Sequence, residues 1–165
     1  MKQTLIALVQ DRPGVLDRVA SLFRRRNFNI ESLSVGHSET SGISRMTLVV
    51  DCDTETQKEQ VVKQFHKLVD VTKVIDDVTS DRAVYRELAL IKVAANIETR
   101  SAIIQLVDVF RAQVIDVAPT SMTIEITGTE DKVDSFVSLL RPFGIKEMAR
   151  TGRVAMLRGT NGKQQ

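Results

Sequence analysis

Few residues in this chain of 165 are suited to covalent or metal chemistry. Cys52 is the one cysteine, which leaves no disulfide framework and no cysteine-based zinc site. The two histidines, His37 and His66, fall in different predicted elements, outside any HExxH spacing. Neither GxxxxGK[ST] nor GxGxxG occurs, so those phosphate cradles are absent. Tryptophan is missing, Tyr85 is the one tyrosine, and most phenylalanines fall in predicted helices. A base-stacking platform is therefore lacking, and binding to nucleic acid is not expected. A net charge of +2 is too weak to point to nucleic acid or an anionic membrane. No apolar run approaches the ~20 residues that span a bilayer, and the first residues show no signal-peptide pattern. With no plausible acid/base pair, an independent enzyme is disfavoured and no catalytic residue is expected. An intracellular, reducing compartment is the simplest reading.

What is present is a soluble-domain composition, 42% hydrophobic and 27% charged, in a strongly periodic order. Residues 2–10 read as a strand, stopped by Asp11-Arg12-Pro13-Gly14. Val15, Leu16, Val19, Leu22 and Phe23 recur at helical spacing over 14–26, with Arg24-Arg25-Arg26 at the end. Strands follow from Ile30 to about 38 and from Ile43 to Asp51, joined around Gly42 as a hairpin. Thr54, with Gln57 three residues on, caps a second helix, and Val71–Val78 closes the unit as a strand. The same order repeats: strand Glu87–Ala95, helix Ile97–Arg111, a hairpin around Pro119, helix Glu130–Arg141 and strand Ile145–Leu157. This predicts an α+β chain of two tandem βαββαβ, ferredoxin-like domains, antiparallel sheets with helices on one face, over 1–79 and 80–158, then a loose tail over 159–165. Strands with more apolar positions than one buried face needs imply that the open face of each sheet associates with a partner. The alternative is that the two halves of one chain cover each other.

The stretch Asp11–Leu16, with Asn27–Leu33 after the helix, carries the strongest hint of a site. If both turns lie near one end of the sheet, a glycine-opened helix N-terminus meets an amide side chain. Gly14 lets a ligand approach unpaired helix N–H groups, a favourable place for a carboxylate. Asp11 and Asn29 offer oxygens to an ammonium, and Val15, Leu16, Ile30 and Val35 offer an apolar slot. Such a cradle suits a small zwitterion. The same residues also suit an ordinary Pro-Gly turn and two turn asparagines, and on the residues alone both readings stand.

The βαββαβ unit with Asp11-Arg12-Pro13-Gly14-Val15-Leu16 after its first strand resembles the ACT domain, a sensor module that commonly binds amino acids. Asn27–Val35, Ser44-Arg45-Met46-Thr47, His66–Val71, Glu87–Val93, Phe110–Val117 and Arg150-Thr151-Gly152-Arg153 are similar to the small regulatory subunits of acetolactate synthase, also called acetohydroxyacid synthase. The resemblance covers nearly the whole chain except the tail. It implies a non-catalytic subunit that forms a homodimer through its N-terminal ACT domain, activates a large catalytic subunit, and lets valine inhibit it in branched-chain amino-acid biosynthesis. It implies that this chain binds no cofactor, thiamine diphosphate, Mg²⁺ and FAD belonging to the large subunit. Its location would be cytoplasmic, or the plastid stroma in a plant after loss of a transit peptide. By position, valine would meet N–H groups of Gly14, Val15 and Leu16, with Asp11 and Asn29 on its polar groups. Ile30 would join Val35, Gly36 and His37 of the partner subunit around it. Position 11 is often Asn in the family, and Asp11 departs from that. A free-standing ACT-type amino-acid sensor acting on another enzyme is the alternative.

Overall fold

A computed structural model describes residues 1–159. The expected repeat is present as two antiparallel sheets, each with two helices. The first contains β1 (Lys2–Gln10), α1 (Val15–Arg25), β2 (Asn29–His37), β3 (Ile43–Asp51), α2 (Glu55–His66) and β4 (Val71–Ile75). Its strand order is β2-β3-β1-β4, which leaves β2 at an edge. The second contains β5 (Ala83–Ala94), α3 (Arg100–Val109), β6 (Gln113–Ala118), β7 (Ser121–Gly128), α4 (Glu130–Leu140) and β8 (Ile145–Arg150), in the order β6-β7-β5-β8. A last strand, β9 (Val154–Leu157), pairs with β5.

The repetition extends to irregularities that composition does not reveal. Each second strand carries a register shift, between Ile30 and Ser32 in β2 and between Val114 and Asp116 in β6. Each first helix is followed by a residue at positive φ, Asn27 at 57° and Arg111 at 54°. Asparagine tolerates that conformation better than arginine does. The expected cap of α2 forms: the Gln57 N–H donates to Thr54 Oγ1 at 3.2 Å and Gln57 Oε1 accepts from the Asp53 N–H at 2.7 Å. Each core lies between sheet and helices. Leu5, Ala7, Val9, Met46, Leu48 and Val50 meet Val15, Val19, Phe23, Val61 and Phe65 in the first. Ala89, Ile91, Val93, Met122, Ile124 and Ile126 meet Ile103, Val107, Val133, Phe136 and Leu140 in the second.

β4 ends at Ile75 rather than Val78, and three other boundaries differ from the expectations, each for a local reason. α3 starts at Arg100 rather than Ile97, because Asn96 Oδ1 accepts the Thr99 N–H at 2.9 Å and Thr99 Oγ1 the Asn96 N–H at 3.0 Å, closing a separate turn. The strand expected over Ile145–Leu157 breaks at Gly152, whose φ is +73°, while the Thr151 N–H bonds Leu88 O at 3.0 Å. β5 begins at Ala83 rather than Glu87, after a turn in which the Ala83 N–H bonds Thr79 O at 2.9 Å. Compact units divide accordingly: Met1–Val84 joined by the segment from Val154, and Tyr85–Arg153. The tail expected over 159–165 lies, beyond Gly159, outside the described residues.

The open face expected on the first sheet is not open. Ile6, Thr47 and Val49 alternate away from the helices, yet they are 0%, 2% and 3% exposed. Val78, Ala83 and Ala155 are buried in the same unit, and Arg45, on that face, donates from Nη2 to Ala155 O at 3.0 Å. The chain thus covers this face itself, with the turn before β5 and with β9. On this sheet the two-sided apolar strands reflect that cover; on the second sheet Leu90, on the face away from the helices, is 37% exposed.

Candidate functional site

The turn after β1 is held by the β2–β3 hairpin, since the Asp11 N–H donates to Gly42 O at 2.9 Å. It leads into a left-handed Gly14, φ 86° and ψ −10°, as the N-cap of α1, with no side chain capping the helix. Only glycine adopts that conformation without strain. The helical ladder starts with the Arg18 N–H on Gly14 O at 3.1 Å; before it, the Val15 N–H makes a long 3.4 Å contact with Arg12 O. First-turn N–H groups have no partner inside the helix, and with the helix dipole they favour an anion. Val15 turns into the core while Leu16 is half exposed beside the turn. At the corresponding turn of the second unit Asn96 and Thr99 bond each other's N–H groups, and the Arg100 N–H, the first of α3, donates to Asn96 O at 3.0 Å.

Arg18, which sequence reasoning missed, completes this end of the helix. Its Nε donates to Asp70 Oδ2 at 2.6 Å, and Asp70 is buried. A Cβ on Gly14 would lie 3.1 Å from Arg18 Nη1, so the guanidinium rests against the glycine. A cation at a helix N-terminus opposes the dipole; here the Asp70 carboxylate offsets it. The signal was available, since Arg18 stands one turn after Gly14 on the same helix face.

His37 lies at the same end, its Nδ1 3.4 Å from Asp11 Oδ2 within one protomer. Both side chains are well exposed, so this contact adds little to stability. Val35 is half exposed on the helix-side face of edge strand β2. Gly36 alternates to the other face and borders a hollow of about 220 Å³ lined also by Ser34, Val35, His37, Arg45, Thr47 and Val154. Arg45 Nε is buried there without a hydrogen-bond partner.

Asn29 and Ile30 are elsewhere, which corrects the expectation that the two turns share one end of the sheet. Asn29 aligns with Asp51, which aligns with Lys2 at the start of β1; His37 aligns with Ser44 and so with Val9 near its end. The eight steps from Asn29 to His37 span about 26 Å. Parallel alignment of β1 and β2 on either side of β3 makes this inevitable: one turn leaves the C-terminal end of β1, the other enters the N-terminal end of β2. At its own end Asn29 Nδ2 donates to Glu31 Oε1 at 3.4 Å, and Ile30 packs at the margin of the core. One protomer therefore unites Asp11, Gly14, Val15, Leu16, Val35 and His37, with Gly36 on the opposite face, and holds Asn29 and Ile30 apart from them.

Among the described residues no group of three or more His, Cys, Asp or Glu side chains is placed to hold a metal, and no helix is long and apolar enough to cross a membrane. Cys52 is fully buried, and burial pushes its thiol pKa up. His66, at the end of α2, is exposed.

Comparison with known proteins covers both halves. Residues 5–73 match the family model described as AHAS small subunit-like ACT domain, and residues 86–159 match the one described as small subunit of acetolactate synthase. The probable acetolactate synthase small subunit of Archaeoglobus fulgidus is 53% identical over 159 residues, covering 96% of this chain and 98% of that protein. The acetolactate synthase small subunit of Bacillus subtilis is 47% identical over 163 residues, covering 99% and 94%. Among solved structures, the acetolactate synthase small subunit from Thermotoga maritima is similar with a TM-score of 0.90 and 46% identity, covering 98% of this chain and 99% of that one. On both halves, by sequence and by fold, the chain belongs to the family of acetolactate synthase small subunits, with an ACT domain at its N-terminal end.

Proposed function

We propose that this chain is a non-catalytic regulatory subunit: it binds the large catalytic subunit of acetolactate synthase in the cytoplasm, activates it, and lets valine inhibit it. Thiamine diphosphate, Mg²⁺ and FAD belong to the large subunit in this reading. In this reading the unit of Met1–Val84 with the segment from Val154 is the amino-acid-binding and dimerising domain, and Tyr85–Arg153 a second domain of the same type. Family membership supports the subunit role; the observation that carries the valine site is the separation of Asn29 from Gly14 along an edge strand.

An edge strand exposes unpaired N–H and C=O groups and is a natural place for a second copy to add. If β2 pairs antiparallel with its own copy about a two-fold axis at Leu33, the midpoint of Asn29–His37, residue 29 falls opposite residue 37. Asn29 of the partner subunit then arrives at the Asp11–His37 end, and the site has two halves. In one protomer, N–H groups of Gly14, Val15 and Leu16 receive the valine carboxylate, while Asp11 accepts from its ammonium. Leu16 and Val35 flank the isopropyl group, and Gly36 and His37 lie beside them. Asn29 of the partner subunit, with Ile30 of the partner subunit, closes the pocket. The division between subunits is thus the reverse of the one the sequence implied, with the Asn29 half crossing over. A ligand bridging two protomers has different contacts in different dimer arrangements, so it can bias the assembly toward an inhibited state.

Calorimetry of the purified chain against the twenty amino acids tests this, followed by acetolactate synthase assays with the cognate large subunit. Heat with valine, together with activation and valine-sensitive inhibition, is expected. Heat with an unrelated amino acid, and no effect on the large subunit, would instead identify a free-standing sensor.

A further inference from the structure

Arg24, Arg25 and Arg26 have no part in the valine site, and among the described residues none of the three pairs with a carboxylate. The helix dipole favours a cation at this end of α1, but it does not call for three. Beside them a groove of about 340 Å³ follows α1, lined by Arg18, Ser21, Leu22, Arg25 and Arg26 and, from beyond α2, by Leu68. From Arg18 to Arg26 the stripe is about 12 Å long. Leu22 and Leu68 are half-buried and form an apolar floor, and the adjoining Val69 is 93% exposed. Asp17 places one carboxylate in the lining, and Arg18 is already engaged by Asp70. The charge left unanswered is that of Arg25 and Arg26, with Arg24 next to them.

We propose that this groove docks an acidic protein segment bearing an aliphatic side chain, and that the segment belongs to the large catalytic subunit, an inference that rests on the function proposed above. Carboxylates of the segment would meet the planar donor forks of Arg25 and Arg26, a geometry arginine serves better than lysine. Its aliphatic side chain would cover Leu22 and Leu68. The length and apolar floor of the groove suit an extended or helical segment rather than a small anion. Arg18 borders both places, lining the groove while its guanidinium rests against Gly14. Docking and valine binding therefore share a residue.

The test is the affinity of the full-length chain for the purified large subunit, measured by biolayer interferometry at several salt concentrations. Arg25→Glu/Arg26→Glu and the milder Arg25→Ala/Arg26→Ala serve as variants. Both sites are exposed, and circular dichroism with valine calorimetry serves as the control for folding and an intact site. Wild type is expected to bind more weakly as salt rises. The charge reversal is expected to weaken binding about tenfold or more and to flatten the salt dependence, and the alanine pair to act in the same direction. Wild-type binding with no change in either variant, or with no salt dependence, would overturn this docking surface and leave the subunit role intact. No binding of the wild-type chain to the large subunit would overturn both.

Discussion

Replacing Gly14 separates two effects, strain in the turn and repulsion of a ligand. In Gly14→Ala, a left-handed φ of 86° becomes strained by about 1–2 kcal/mol. The new Cβ also meets Arg18 Nη1 at 3.1 Å, so the guanidinium must shift by a few tenths of an ångström while holding Asp70. An overall loss of about 1–3 kcal/mol is expected. For the 1–2 kcal/mol of strain alone, the midpoint of the first unit's thermal unfolding falls by about 4–16 °C. Gly14→Asp reverses the order of effects. Aspartate tolerates the left-handed region better than alanine, and its carboxylate sits next to the Arg18 cation, so it destabilises less. It also places a negative charge among the N–H groups assigned to the valine carboxylate, so calorimetry should show valine binding abolished. Thermal unfolding monitored by circular dichroism, with calorimetry on the same samples, checks both. A Gly14→Ala protein as stable as wild type would refute the conformational argument; a Gly14→Asp protein that still binds valine normally would refute the site.

Mixed dimers test whether the site is shared between subunits. Refolding Gly14→Asp and Asn29→His chains together should restore one intact site per mixed dimer, whereas neither variant alone binds valine; failure to restore any binding points to a site within one chain. Ending the chain after Arg153 removes β9 and uncovers part of the Ile6 and Val49 face, at about 2–5 kcal/mol to the first unit with new binding of a hydrophobic dye. An unmoved first unfolding transition would contradict that cover. In the second unit, Arg150 pairs with Asp134 at 2.7 Å and with the nearly inaccessible Glu87 side chain. Arg150→Ala strands that carboxylate, and a loss of about 3 kcal/mol is expected in denaturant titrations. Arg150→Met/Glu87→Met should recover most of it, and a double variant no better than the single one would show that the pair is not the cause.

Periodicity carried the fold because both repeats obey local rules. Apolar residues every three or four positions give α1 and α4, and the Thr54–Gln57 cap fixes where α2 begins. Where neighbours in space compete with local preference, the reading stopped short. The Asn96–Thr99 turn delays α3, and Gly152 divides the last strand. β9 cannot be assigned from its own four residues, because what it covers lies more than a hundred residues earlier, as the Arg45–Ala155 bond shows. In the candidate site the sequence named the chemistry: a glycine that opens a helix, a carboxylate, an amide and aliphatic neighbours. Residue identity sets what a group can donate, accept or exclude, and that is local. Which of these groups share a pocket depends on strand direction and register, which pairing across the sheet decides. That pairing brings His37 to Asp11 and sets Asn29 at the far end of an edge strand, where only a second chain could bring it back.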